Sequence, residues 1–259
     1  MNTYPNPFAD SIDYNRMEQH YDQEALESFN SISPMTRTQE PIVTGTSVLA
    51  VKFKDGIMMT TDCLASYGSL ARFKNVERML KVGNSTVIGA SGDMSDFQYI
   101  TYLMDKLMTK EYNANNGQPL APENIYEYIS QVMYQRRNKF DPLWNALVIG
   151  GYQDGKSFLG YVNLRGTTYQ SETIATGYGA HIAQPLLRNA VEKKNGEPLT
   201  EEEAKTLLDD CMRILFYRDA RSLNKLQRAT VTAAGVTISE PYSLETEWGF
   251  AENIRGYGA

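Results

Sequence analysis

Apolar residues along the chain recur with two different periods. Residues 43–53 (VTGTSVLAVKF) are rich in β-branched side chains and read as one strand. Lys54-Asp55-Gly56 is a hairpin signal, and IMMTTD (57–62) returns as its partner. Two more strands are expected at about 79–82 and 86–91, around the turn Gly83-Asn84-Ser85. The period then lengthens. From Ser95, the residues Phe97, Ile100, Met104, Leu107 and Met108 share one helical face. Pro122 opens a second helix with Ile125, Ile129, Val132 and Met133 inward. Strands return at 144–152 and 158–164, flanking Gln153-Asp154-Gly155-Lys156, and a short one follows at 167–169. A third helix follows Gly177-Tyr178-Gly179 and contains Pro185, expected in its first turns or at a bend. A fourth opens on Thr200-Glu201-Glu202-Glu203, a capping-box pattern, and runs through Leu207, Leu208, Cys211, Leu215 and Phe216. Strands near 227–233 and 236–239 close the body.

Strands, two helices, strands, two helices, strands: hairpin turns make the pairing antiparallel. Two sheets with helices outside them predict a layered α+β domain. Residues 1–37 do not join that pattern. Ile12, Leu26 and Ile32 are their only Ile, Leu or Val residues, too little apolar surface to offset the entropy of ordering. They read as a leader, residues 38–240 as a single domain, and residues 241–259 as an extended tail.

Composition narrows the chemistry. Thirty-one acidic against 25 basic residues give a net charge of -6, which argues against a nucleic-acid partner. No apolar run reaches the ~20 residues of a membrane span, and no secretory signal pattern opens the chain. The two cysteines, Cys63 and Cys211, read as buried thiols rather than a disulfide or a zinc site. With only His20 and His181, histidine-dependent triads and most metal sites lose their material, so neither a metal nor a cofactor is expected. Gly177-Tyr178-Gly179 does not extend into a dinucleotide fingerprint.

Chemistry without histidine points to Thr44-Gly45-Thr46-Ser47. Cleavage between Gly45 and Thr46 would place a new α-amine, of pKa near 8, beside the threonine hydroxyl as its base. An ordinary Gly-Thr pair in a strand is the plain alternative. Asp62 either orients a lysine or amine near Thr46 or caps the turn after its strand. Ser91-Gly92-Asp93 offers backbone N–H groups for an oxyanion hole or, more simply, a strand-to-helix turn with an N-cap. Arg136, Arg137 and Lys139 complement a helix end or make salt bridges between subunits. Met94, Met104, Met108 and Met133 read as core fillers.

These segments together resemble the β subunits of the 20S proteasome, and within them the non-catalytic ones. The resemblance rests on TQEPIVTGTSVLAVKF (38–53), SYGSLARF (66–73), YQRRNKFDPLWNALVIGGY (134–152), SFLGYVNLRG (157–166), ATGYGAHIAQPLLR (175–188) and MRILFYRDARS (212–222). It implies the N-terminal-nucleophile hydrolase fold, a four-layer α/β/β/α sandwich of two antiparallel sheets between helix layers. It also implies partners: other β subunits in the same and the opposite ring, and α-ring subunits, in a particle of cytoplasm and nucleus that degrades proteins in the ubiquitin and ATP-dependent pathway.

Matched residue by residue, the family's nucleophile falls on Thr46, its first aspartate on Asp62, its oxyanion glycine on Gly92, and its later aspartate and serine on Asp219 and Ser222. Its lysine falls on Arg78, a residue that stays protonated and serves a proton relay poorly. Leu64 stands where active members carry a basic or polar residue, and Leu223-Asn224 replaces two glycines. The resemblance further implies leader removal between Arg37 and Thr38, which would leave the Thr46 nitrogen in an amide. The expectation is a silent, structural subunit; the alternative is a threonine peptidase with Thr46 as nucleophile. Trp248, Phe250, Ile254 and Tyr257 are candidate anchors at a subunit interface.

Overall fold

The structure is a computed structural model and describes residues 40–114, 117 and 119–250. Among the described residues, thirteen strands form two antiparallel sheets. The first sheet contains β1 (Val43–Gly45), β4 (Ala65–Tyr67), β5 (Leu70–Phe73), β6 (Met79–Val82), β7 (Thr86–Asp93), β8 (Asn145–Gln153), β9 (Lys156–Asn163) and β10 (Thr168–Gln170). Its order is β10-β9-β8-β7-β1-β4-β5, with β6 also on β7. The second sheet has the order β11-β2-β3-β12-β13, from β2 (Val48–Phe53), β3 (Gly56–Asp62), β11 (Thr173–Ala175), β12 (Leu226–Thr232) and β13 (Gly235–Ile238).

Alternation along the strands builds three apolar layers. Val48, Ala50, Ile57, Met59, Val87, Val148, Leu159, Ala229 and Val231 fill the space between the sheets. The opposite parity serves the helices. Ile88, Ala90, Leu147 and Ile149 pack under α1 (Met94–Ala114) and α2 (Pro122–Asn138). Leu49, Val51 and Met58 pack under α3 (Gly179–Glu192) and α4 (Glu201–Arg218). The result is helix, sheet, sheet, helix. The sheets approach closely because β7 carries Gly89, where a Cβ would press on Val48 and Met59.

The helices follow their sequence signals. The Thr200 hydroxyl accepts from Glu203 N (3.3 Å) and the Glu203 carboxylate accepts from Thr200 N (2.9 Å), a closed capping box. Pro185 sits in the second turn of α3, where it removes one donor without ending the helix. Met94, Met104, Met108 and Met133 lie in or against the α1–α2 core, and both cysteines are buried and unpaired.

One expected element is corrected. Residues 43–53 are not a single strand: β1 belongs to the first sheet and β2 to the second, and the chain crosses between them at Thr46-Ser47. The β-branched run hides this, because both halves carry the same strand propensity and only the Gly45-Thr46 break separates them. Strands β4, β5 and β11 carry too few residues to show a period, and β5 is exposed along its length.

Candidate functional site

The chain passes directly between the sheets at Thr46-Ser47, at Cys63-Leu64 and at Ser171-Glu172, and the candidate residues gather at the first two. The crossing at Thr46-Ser47 is held by the entry to α3. Gly179 N donates to Ser47 Oγ (2.8 Å), and Val48 N donates to Thr176 Oγ1 (2.9 Å). This close approach is what Gly177-Tyr178-Gly179 provides: Gly177 has φ +58°, and a Cβ on Gly179 would collide with Leu49.

Thr46 Oγ1 donates to Asp219 Oδ2 at 2.6 Å. Asp219 caps the end of α4 and is itself fixed, its Oδ1 accepting from Arg221 N (2.9 Å). Ser222 does not reach the threonine: its hydroxyl donates to Asp219 O (2.7 Å) and so stiffens the turn carrying the aspartate. Asp62 ends β3, and its Oδ2 accepts from Leu223 N (2.9 Å). Its Oδ1 accepts from Arg78 Nη1.

Arg78 and Asp62 are both completely buried. Burial pushes the Asp62 carboxyl up to about 6, against the pull of the Arg78 charge and of the Leu223 N–H, with Asp219 adding to the rise. The guanidinium faces carbonyls as well as the carboxylate. Nη2 donates to Thr46 O, to Ser47 O (3.1 Å) and to Ala90 O (3.1 Å). It thus ties β3, β7 and the crossing together at the gap on one edge of β7, where β6 pairs with Thr86–Gly89 and β1 with Gly92–Asp93. No hydrogen bond runs from Arg78 to the Thr46 hydroxyl.

Upstream of Thr46 the chain is sheet. Thr44 and Gly45 stand opposite Asp93 and Gly92 on one edge, and Val43 and Thr44 opposite Tyr67 and Ser66 on the other. Ile42 N donates to Asp93 Oδ1 (3.1 Å). Asp93 also accepts from Ser95 N and Asp96 N through Oδ2, so the N-cap reading of Ser91-Gly92-Asp93 holds. Gly92 has φ +94°, and a Cβ there would strike the Trp144 carbonyl. Asp93 N donates to Trp144 O on the β8 side, and on the other edge Gly92 stands opposite Gly45 in the β1–β7 register. The residue at the oxyanion position is therefore paired with the chain's own strand.

A cleft of about 500 Å³ opens beside Thr46 and is lined by Gly45, Tyr178, His181, Asp219 and Arg221. Tyr178, His181 and Arg221 are the residues that sequence reasoning left out. His181 sits one turn beyond the Gly-Tyr-Gly approach, and that approach was the available signal. Among the described residues, His181 makes no hydrogen bond to Thr46, and no group of three or more His, Cys, Asp or Glu side chains is placed to hold a metal ion. The structure thus brings together Thr46, Asp62, Arg78, Gly92 and Asp219, with Ser222 one shell behind. Leu64 is buried. Arg37, Thr38, Ile254 and Tyr257 lie outside the described residues.

Asn224 takes a second task. Its Nδ2 donates to Leu244 O (2.7 Å) and its Oδ1 accepts from Leu244 N (2.9 Å), anchoring the segment after β13. Leu226 and Tyr242 exchange two backbone hydrogen bonds (2.7 and 2.8 Å), and Glu247 N donates to the Tyr217 hydroxyl (2.7 Å). Trp248 and Phe250 then stack on each other and pack edge-on against Tyr217, each about half exposed.

Comparison with known proteins places these residues in context. A sequence profile described as proteasome subunit matches residues 42–231. The chain is 51% identical over 229 residues to a probable proteasome subunit beta type-7 of Schizosaccharomyces pombe, covering 87% of each chain. It is 48% identical over 232 residues to proteasome subunit beta type-4 of Xenopus laevis, covering 90% of this chain and 95% of that one. To proteasome subunit beta type-7 of Saccharomyces cerevisiae it is 47% identical over 234 residues, covering 87% and 88%.

Proposed function

The chain belongs to the proteasome subunit family, and from that premise we propose that it is a non-catalytic β subunit of the 20S core particle. Its task is to complete a ring, pair it with a second ring, and so support protein degradation carried out by its neighbours, in the ubiquitin and ATP-dependent pathway of cytoplasm and nucleus. The observation that carries the reading is the surroundings of one hydroxyl. Thr46 Oγ1 has Asp219 as its hydrogen-bond partner, and the cation at the lysine position is a guanidinium turned toward carbonyl oxygens. Acyl transfer by an alcohol needs a group that takes the proton and returns it. An arginine does not release its proton, and a leader cut before Thr38, as this reading has it, would keep the Thr46 nitrogen an amide without a basic lone pair.

Under this reading residues 1–37 are a leader removed before Thr38, residues 38–240 are the domain, and residues 241–259 form a tail that meets partner subunits. Trp248 and Phe250 are its first anchors.

The experiment is an intact-mass measurement of the chain within its assembled particle, followed by exposure to a threonine-directed epoxyketone. The expected result is a chain beginning at Thr38 and no adduct on Thr46, for wild type and for Arg78→Lys alike, since lysine alone does not free the amine. The competing reading, an active threonine peptidase, has one specific support: Gly92 faces Gly45, the residue before the bond that maturation would cut. A chain beginning at Thr46 and modified by the epoxyketone would establish that reading instead.

A further inference from the structure

Residues on one stripe of α4 meet the segment that follows β13. Asp209, Arg213 and Tyr217 are spaced by four residues, so each stands about 6 Å further along the helix axis than the last. They take the segment in the same order: Tyr242 at Asp209, Glu245 at Arg213, Glu247 at Tyr217. Arg213 Nε donates to Glu245 O (3.1 Å), and the Tyr217 hydroxyl accepts from Glu247 N (2.7 Å). These two bonds, like those of Asn224 to Leu244, reach main-chain atoms. They hold the segment without telling one residue from the next. Among the described residues the segment has no strand partner beyond Tyr242.

Tyr242 is held by its side chain. Its hydroxyl donates to Asp209 Oδ1 (2.8 Å) and accepts from Arg228 Nη2 (2.6 Å), and the guanidinium lies over its ring, 4.8 Å from the centroid. Arg228 Nη2 also donates to Asp209 Oδ1, and both side chains are largely buried. Asp209 belongs to α4 and Arg228 to β12, so the ion pair is made within the body of the domain. Burial pushes the phenol's pKa up, and the hydroxyl keeps its proton as a donor at neutral pH.

The pair is thus a socket for one hydroxyl at a fixed depth. Moving an extended segment by one residue shifts it by about 3.3 Å and turns the side chain to the other face. The neighbours of Tyr242 cannot replace it: Pro241 has no hydroxyl, and that of Ser243 stands one bond from Cβ. We propose that Asp209 and Arg228 form a register lock for the tail, with Tyr242 as its pin. The pin decides which residues meet the α4 stripe, and so where Trp248 and Phe250 emerge. Asp209 and Arg228 are positioning residues that act on those two aromatics through Tyr242. The lock deepens the reading of this segment as a tail that meets partner subunits and rests on that reading for its use.

Residue-resolved hydrogen exchange in the full chain tests the lock with Tyr242→Phe, which keeps a ring over Arg228 and removes the hydroxyl. The expected result is exchange faster by about fivefold at residues 243–248, the worth of one or two hydrogen bonds, with β12 and α4 unchanged. The Glu247 amide is the decisive site, because its bond to Tyr217 survives a local loss at Tyr242 but not a loss of register. A p-aminophenylalanine at position 242 returns an N–H donor to the same place and restores protection. Unchanged exchange at Glu247, or no restoration by the amine, would overturn the lock. Loosening that spreads into β12 and α4, or a variant that does not fold, would overturn it too, since the hydroxyl would then support the body rather than the tail. Pairing of half-particles by the same variant tests the reading separately. A loosened segment with weakened pairing supports both, whereas a loosened segment with unchanged pairing supports the lock and overturns the tail's contact with partners.

Discussion

The pair Asp62–Arg78 is the most consequential contact at the residue scale. Both side chains are wholly buried, so removing one leaves the other charged in a low-dielectric place. Asp62→Ala is expected to destabilise the assembled subunit by about 3–5 kcal/mol, read as a lowered thermal midpoint or loss of incorporation. Arg78→Met should cost comparably, and the double variant less than the sum of the two, because neither charge then remains stranded. The thiols give a second test. Burial pushes Cys63 up, with the Asp62 charge adding to it, and pushes Cys211 up to about 12. Both should resist iodoacetamide at pH 8 in the folded protein and react once it is denatured. At this scale the sequence names the participants but not their orientation. The match of Arg78 to a lysine position is visible in the letters. That its donors turn to Thr46, Ser47 and Ala90 carbonyls depends on three backbone segments meeting, which no local pattern records.

Among the elements, what is legible follows length. The four helices among the described residues each carry several turns of apolar spacing, so their positions are read directly. The crossing from β1 to β2 is not readable, since both sides favour strand and the change of sheet is decided by packing: Gly45 lies against Arg78, where a Cβ would collide with the guanidinium. The segment after β13 lacks periodicity for a related reason. Its order comes from side-chain bonds to Asn224 and Tyr217 rather than from its own pattern. Asn224→Gly should loosen it by about 1–3 kcal/mol for two lost hydrogen bonds. Faster amide exchange at residues 242–248, with β12 unchanged, would be the sign; equal exchange in both variants would show that Asn224 is not the anchor.

For the whole molecule, the strap formed by Asn224, Tyr217 and Tyr242 delivers Trp248 and Phe250 to the surface in a fixed place beside α4. Exposed aromatic residues in a fixed arrangement are the material of interface anchors. Deleting residues 248–259 should weaken the pairing of half-particles and with it the peptide cleavage of the assembled particle, measured by native separation and a fluorogenic peptide. Unchanged pairing and cleavage would remove the tail from that role.

β1, finally, behaves as a ruler. A peptidase grips several residues of free, extended backbone, and a strand bonded along both edges, with Ile42 fastened by Asp93, offers none. Under the proposed reading, an enzyme that shortens this chain from its front is expected to halt before Ile42, wherever it first cuts, with the stopping point set by the sheet rather than by the enzyme's taste in sequence.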